Sequence, residues 1–143
     1  TEPLIFGDRD PNADYCPRPA AYGLYQNEEH HLALILEPFG YYLPGGGMDP
    51  GETPEAALRR ECLEELGWEI EVGAYLAEAE CWLYSPRYLK HHHNLATFFR
   101  IQHFREITQS IEEDHQLVWM PPENALSLLE HPHQVWAVQC YAL

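Results

Sequence analysis

Positive charge is scarce in this sequence: eight Lys and Arg stand against 23 Asp and Glu among 143 residues, a formal net charge of −15. That balance argues against non-specific binding to DNA, RNA or an anionic membrane. An anionic ligand would have to be drawn by a metal ion or by a few local Arg and Lys side chains. Paired cysteines are missing too. Cys16, Cys62, Cys81 and Cys140 are scattered with no Cys-x-x-Cys spacing, so the reading is of reduced thiols in a cytoplasmic protein, not a disulfide frame or zinc site. No apolar run approaches the roughly 18 residues that span a bilayer. Thr1 to Tyr15 is polar and rich in Pro and Asp, unlike a signal peptide. No repeat or low-complexity tract is visible. What is there is a chain 45% hydrophobic, long enough for one domain with its own core and too short for two comfortable ones.

The densest information lies in Gly45 to Trp68, GGGMDPGETPEAALRRECLEELGW. The glycines let a ligand approach the main chain, and Pro50-Gly51 signals a turn. Thr53 followed by Pro54 reads as an N-cap and first helical residue. Ala56 to Arg60 favour helix, and Gly67 suits a C-cap. At roughly 100° per residue, Glu61, Glu64 and Glu65 fall within about 100° of one another. Leu58, Cys62 and Leu66 form a neighbouring core-facing stripe. Clustered carboxylates repel one another, and a divalent cation removes that penalty. Oxygen ligands without paired Cys or His favour a hard ion, Mg²⁺ or Mn²⁺. Arg60 can pair with a neighbouring carboxylate and hold its orientation. Taken alone, such a helix face is more often an ordinary solvated acidic surface.

Around this stretch the chain reads as alternating strands and helices. Thr1 to Pro19 is an expected irregular arm with at most a short strand at Leu4-Ile5-Phe6. Ala20 to Gln26 is a strand, and His31 to Glu37 is a nearly continuous apolar run, as in a strand buried on both faces. Gly40 to Leu43 is a short strand. Glu69 to Tyr84 is one long strand or two. Ser85 to Asn94 reads as a polar loop, Leu95 to Phe104 as a strand, Arg105 to His115 as an acidic loop and Gln116 to Met120 as a strand. Glu123 to Glu130 and His133 to Ala142 are helices. The order predicts an α/β protein with a mixed sheet covered by helices.

The spacing Gly46-x5-Glu52-x7-Arg60-Glu61-Cys62-x-Glu64-Glu65-x-Gly67-Trp68 resembles the Nudix box, Gly-x5-Glu-x7-Arg-Glu-U-x-Glu-Glu-x-Gly-U, with U a bulky apolar residue. Every fixed position matches; Cys62 and Trp68 stand where aliphatic residues are usual. The resemblance implies a Nudix-like α/β/α sandwich with a central mixed sheet. It implies a metal-dependent pyrophosphohydrolase acting on a nucleoside diphosphate linked to another group, with Mg²⁺ or Mn²⁺ as cofactor. Glu61, Glu64 and Glu65 would then be metal ligands, with a carbonyl of Gly45 or Gly46 alongside, and Glu52 would pair with Arg60 to brace the loop. The general base is left open among Glu61, Glu65 and a carboxylate outside the box. A further ligand is expected from the acidic loop, at Glu112 or Glu113. Lys90, Arg87 or a histidine of His91-His92-His93 could touch phosphate, and Tyr84 could stack on a base, though strand aromatics are more often core. The favoured substrate is a nucleoside triphosphate or a modified one. Dinucleoside polyphosphates, ADP-ribose-type sugars and a non-catalytic nucleotide sensor are the alternatives. No nucleic-acid polymer or membrane partner is expected. A homodimer stays open, since dimers are common in the family and no interface is legible.

Overall fold

The computed structural model describes residues 4–109 and 114–143. Among the described residues the elements run β1 (Leu4–Phe6), β2 (Tyr15–Leu24), β3 (Leu32–Glu37), β4 (Gly40–Tyr42), β5 (Gly45–Gly47), α1 (Pro54–Leu66), β6 (Trp68–Ser85), β7 (Lys90–Glu106), β8 (Gln116–Met120), α2 (Pro122–Leu128) and α3 (Pro132–Tyr141). A five-stranded mixed sheet has the order β1-β6-β7-β2-β5, and a three-stranded sheet the order β4-β3-β8. Strands β2 and β7 pair in parallel, while β6–β7 and β2–β5 are antiparallel. The two sheets meet where the Ala33 amide donates to the Tyr25 carbonyl at 3.0 Å.

Strand alternation explains the two cores. In β3, Leu32 and Leu34 join the cluster that packs on α2 and α3, through Ala125, Leu129, Ala137 and Val138. Ala33 and Ile35 join the cluster around α1, with Ala57, Leu58, Cys62 and Leu66. Period-two side chains on one strand thus serve helices on opposite faces, and the α/β sandwich of the sequence reading is present. Cys62 and Trp68, the two unusual box residues, are both buried. Trp68 stacks on Phe104 with ring centroids 3.7 Å apart.

The box helix ends as its residues dictate. Thr53 Oγ1 accepts the Ala56 amide at 3.1 Å, and Pro54 occupies the first turn. Gly67 caps the other end with φ 70°, where a Cβ would collide with the Thr108 carbonyl.

Three expectations need correction. The supposed N-terminal arm contains half of β2, which starts at Tyr15 and not at Ala20. Pro17 and Pro19 are tolerated there because β7 pairs along all of β2, whereas β5 covers only Ala20–Tyr22 on the other side. The Pro19 carbonyl faces that second side, accepting from Met48, so the missing amide hydrogens of both prolines fall on the open flank. The loop that Glu52 and Arg60 are expected to brace is, at Gly45–Gly47, strand β5. Most of Ser85 to Asn94 is not a loop either: Lys90 to Asn94 are strand residues paired with Cys81 to Ser85. Side-chain polarity does not decide the matter when the backbone has partners on both sides. His93 stacks on Trp82 at 3.9 Å and lies 2.6 Å from Glu80. Among the described residues, no helix is long and apolar enough to cross a membrane.

Candidate metal centre and substrate cleft

Helix α1 and strand β5 meet along one side of a cleft of about 380 Å³. Its lining includes the box residues Gly45, Gly46, Gly47, Arg60, Glu61, Glu64 and Glu65. Arg60 is the hub. Its guanidinium grips Glu52 through two bonds of 2.9 Å, and reaches Glu61 at 3.1 Å, Glu64 at 3.3 Å and the Gly47 carbonyl at 2.9 Å. Asp49 adds a contact at 3.3 Å. A planar fork of fixed donors suits this many acceptors better than a lysine would.

The glycine strand is shaped to the carboxylates. A Cβ at Gly46 would stand 2.9 to 3.0 Å from the carboxyl atoms of Glu61, so any side chain there would push Glu61 aside. The Gly45 amide donates to Glu65 Oε1 at 2.9 Å. Glu65 is buried, unlike Glu64, and turns under the helix toward β5. Its Oε2 lies 3.9 Å from His115 Nε2, which in turn is 2.9 Å from Glu37 Oε2. His115 Nδ1 is 2.9 Å from Asp114. Glu37, Glu65 and His115 can offer ligand atoms within 4.8 Å of one another. Burial raises the Glu37 carboxyl above its ordinary value, opposed by His115 and Arg87.

The Arg60 bonds hold the Glu52 carboxyl down at about 2, from an ordinary 4.5, with the Asp49 amide helping. A lowered carboxylate contributes stability that is full above pH 4.5 and is lost as pH falls toward 2. Urea midpoints measured across that window should fall for the native chain and fall less steeply for Glu52→Gln.

The same cleft carries groups from elsewhere in the chain. Arg18 (β2) packs its guanidinium 4.9 Å from the Tyr88 ring, and Arg87 lies 3.7 Å from Glu37. Tyr22, Tyr42, His92, Asn94, His131 and Gln134 also line the cleft. Of the residues singled out in the sequence, Glu52 meets the site through Arg60, and Arg87 lines the cleft. Tyr84 and Lys90 are exposed and do not line it. Tyr84 sits edge-on to His91, on the face of the β6–β7 hairpin away from Leu83 and His92. Glu112 and Glu113 lie outside the described residues. Sequence reasoning passed over Glu37, Tyr22, Asn94, His115 and Gln134. A charged residue closing an apolar strand run was an available signal for Glu37; for the others the sequence carries none.

A NUDIX domain model matches residues 17–142. The chain belongs to the NUDIX family. The E. coli ORF135 protein is structurally similar, with TM-score 0.68, 26% identity and 89% of each chain covered. Among curated relatives, an RNA pyrophosphohydrolase of Rickettsia canadensis is 35% identical over 69 residues, 46% of this chain and 42% of that protein. A nucleoside triphosphatase NudI of an Enterobacter species is 60% identical over 37 residues, 26% of each chain. The matches span less than half the length of these curated relatives. In this NUDIX chain the box is intact, and the cleft is built around it.

Proposed function

We propose that this chain is a divalent-metal-dependent pyrophosphohydrolase whose substrate is a nucleoside triphosphate or a modified one. The observation that carries the reading is the convergence of Glu61, Glu64 and Glu65 on one cleft, against a glycine strand, with Arg18 and Arg87 in the same lining. The donor set fits a hard cation: oxygen ligands dominate, and Glu61 and Glu64 share one guanidinium. Glu61, Glu64 and Glu65 would hold Mg²⁺ or Mn²⁺, with a carbonyl of Gly45 or Gly46. When bound, the ion would neutralise phosphate oxygens and lower the pKa of an attacking water. The protein's own part is positional. Arg60 and Glu52 keep the carboxylates aligned, Arg18 and Arg87 draw and orient the phosphate chain, and a carboxylate of the cluster takes the water's proton.

A formal charge of −15 favours a small nucleotide over the end of an RNA chain, despite the name of the Rickettsia relative. All four cysteines are free, which suits a reducing compartment such as the cytoplasm.

The test is a product assay with Mg²⁺ and, separately, Mn²⁺, against normal and oxidised nucleoside triphosphates, dinucleoside polyphosphates, ADP-ribose and nucleotide sugars. Turnover of triphosphates that requires the metal supports the reading. Turnover of another class alone would replace the substrate, and silence across the panel from folded protein would replace the enzyme with a ligand sensor.

A further inference from the structure

Cations are few in this chain, and Arg60 is committed to Glu52, Glu61 and Glu64. Arg18, in the lining of the same cleft, differs. Among the described residues its side chain has no hydrogen bond and no ion pair. A fixed charge whose N–H donors lack an oxygen acceptor, in a protein of net charge −15, calls for an anion. What surrounds Arg18 is packing. A Cβ at Gly47 would stand 2.6 to 2.9 Å from its Cζ and both terminal nitrogens, so the guanidinium lies against bare backbone of β5. Its Cζ also lies over the Tyr88 ring, 4.9 Å from the centroid. Neither contact supplies an oxygen. An aromatic face attracts the charge and leaves the N–H donors for another partner.

Tyr88 is itself held in place. It sits at the tip of the β6–β7 hairpin, where Ser85 Oγ accepts its amide at 3.2 Å. Leu89, next in the chain, takes φ 54°, a left-handed conformation that side chains other than Gly seldom adopt, and the chain turns there into β7. Arg87, one residue before, reaches Glu37 of β3 at 3.7 Å. The Tyr88 ring lies 5.8 Å from that of buried His92. Turn, ion pair and ring contact together fix the tip at the cleft. Yet Tyr88 is 51% exposed. A side chain so exposed adds little to the fold, and its place over Arg18 points to the site.

We propose that Tyr88 is a positioning residue: its ring and the Gly47 backbone hold the Arg18 guanidinium ready for the phosphate chain of the substrate. The inference rests on the nucleotide-hydrolase reading above. A long side chain loses rotamer freedom when it grips an anion, and one already confined has less to lose. The ring therefore contributes to substrate affinity through Arg18 and leaves the chemical step alone.

The test compares native protein, Tyr88→Leu, Tyr88→Phe, Arg18→Ala and the double variant Arg18→Ala/Tyr88→Leu, each checked for folding by thermal melts. One readout is kcat and KM for a nucleoside triphosphate with Mg²⁺. The other is calorimetric affinity for methylenediphosphonate with Mg²⁺, which needs no turnover. Tyr88→Leu should raise KM and weaken diphosphonate binding by about 5- to 10-fold, with kcat within about threefold of native. Tyr88→Phe keeps the ring and should stay within about twofold of native. Arg18→Ala should cost about 10- to 100-fold in both affinities, and adding Tyr88→Leu to it should cost no more than about a further twofold. Native KM and affinity in Tyr88→Leu, or a Tyr88→Leu loss that persists in full without Arg18, overturns this inference and leaves the hydrolase standing. Diphosphonate binding that depends on Arg18 and Tyr88, with no turnover of any triphosphate, overturns the hydrolase and leaves the positioning role in place. Native protein that neither hydrolyses a triphosphate nor binds the diphosphonate overturns both.

Discussion

Glu65→Gln should lower kcat by about 100- to 1,000-fold, the loss typical of removing one well-placed electrostatic group, while leaving the melting temperature nearly unchanged. The variant keeps an oxygen to accept the Gly45 amide, which Glu65 Oε1 now accepts at 2.9 Å, so β5 stays docked on α1. What it loses is the negative charge. In the native chain that charge faces His115 at 3.9 Å and lies in the same cleft as Glu61 and Glu64. Steady-state rates at saturating metal, paired with thermal melts, separate the two effects. A rate within threefold of native, as roughly allowed for a surface carboxylate, would remove Glu65 from the site.

Arg60→Ala should act in the other order, on stability first. One guanidinium satisfies Asp49, Glu52, Glu61, Glu64 and the Gly47 carbonyl. Without it, four neighbouring carboxylates lose the cation they share. Hydrogen bonds to charged groups and unpaired partly buried charges carry costs of several kcal/mol, reduced here by solvent at the open side. A loss of about 2–3 kcal/mol is expected, and a drop in Tm of about 6–10 °C for a chain of this size. Mg²⁺ should restore part of that drop, and raise the Tm of Arg60→Ala more than that of the native protein, because the ion supplies the missing positive charge. Equal shifts in both proteins would mean that Arg60 and the ion do not serve the same carboxylates.

How much of this was legible beforehand differs along the chain. Local rules suffice for α1: Thr53, Pro54 and Gly67 mark its ends, and Glu61, Glu64 and Glu65 all line one cleft. The same rules misjudge His91 to His93, because their strand state depends on pairing with β2, far away in sequence, on one side and with β6 across a hairpin on the other. They also miss that Glu65 turns away from Glu64 to meet the Gly45 amide. The rest of the cleft is assembled by topology. Parallel pairing sets Arg18 beside Asn94, and α3 brings His133 to within 2.9 Å of that same Asn94. A lone Arg, Asn or Gln in a sequence carries no sign of such a meeting. Likewise Glu37 and His115 are far apart in the chain and lie 2.9 Å from each other.

The central claim is that the box carboxylates assemble a centre that splits a phosphoanhydride bond. The most direct measurement is phosphorus NMR of a nucleoside triphosphate mixed with the native protein and Mg²⁺, alongside the same mixture with Glu65→Gln. The result expected is loss of the triphosphate signals with matched growth of monophosphate and pyrophosphate signals, or of diphosphate and phosphate signals, dependent on Mg²⁺ and nearly absent in the variant. Triphosphate that persists with folded native protein, or that disappears equally fast with Glu65→Gln, would contradict the claim.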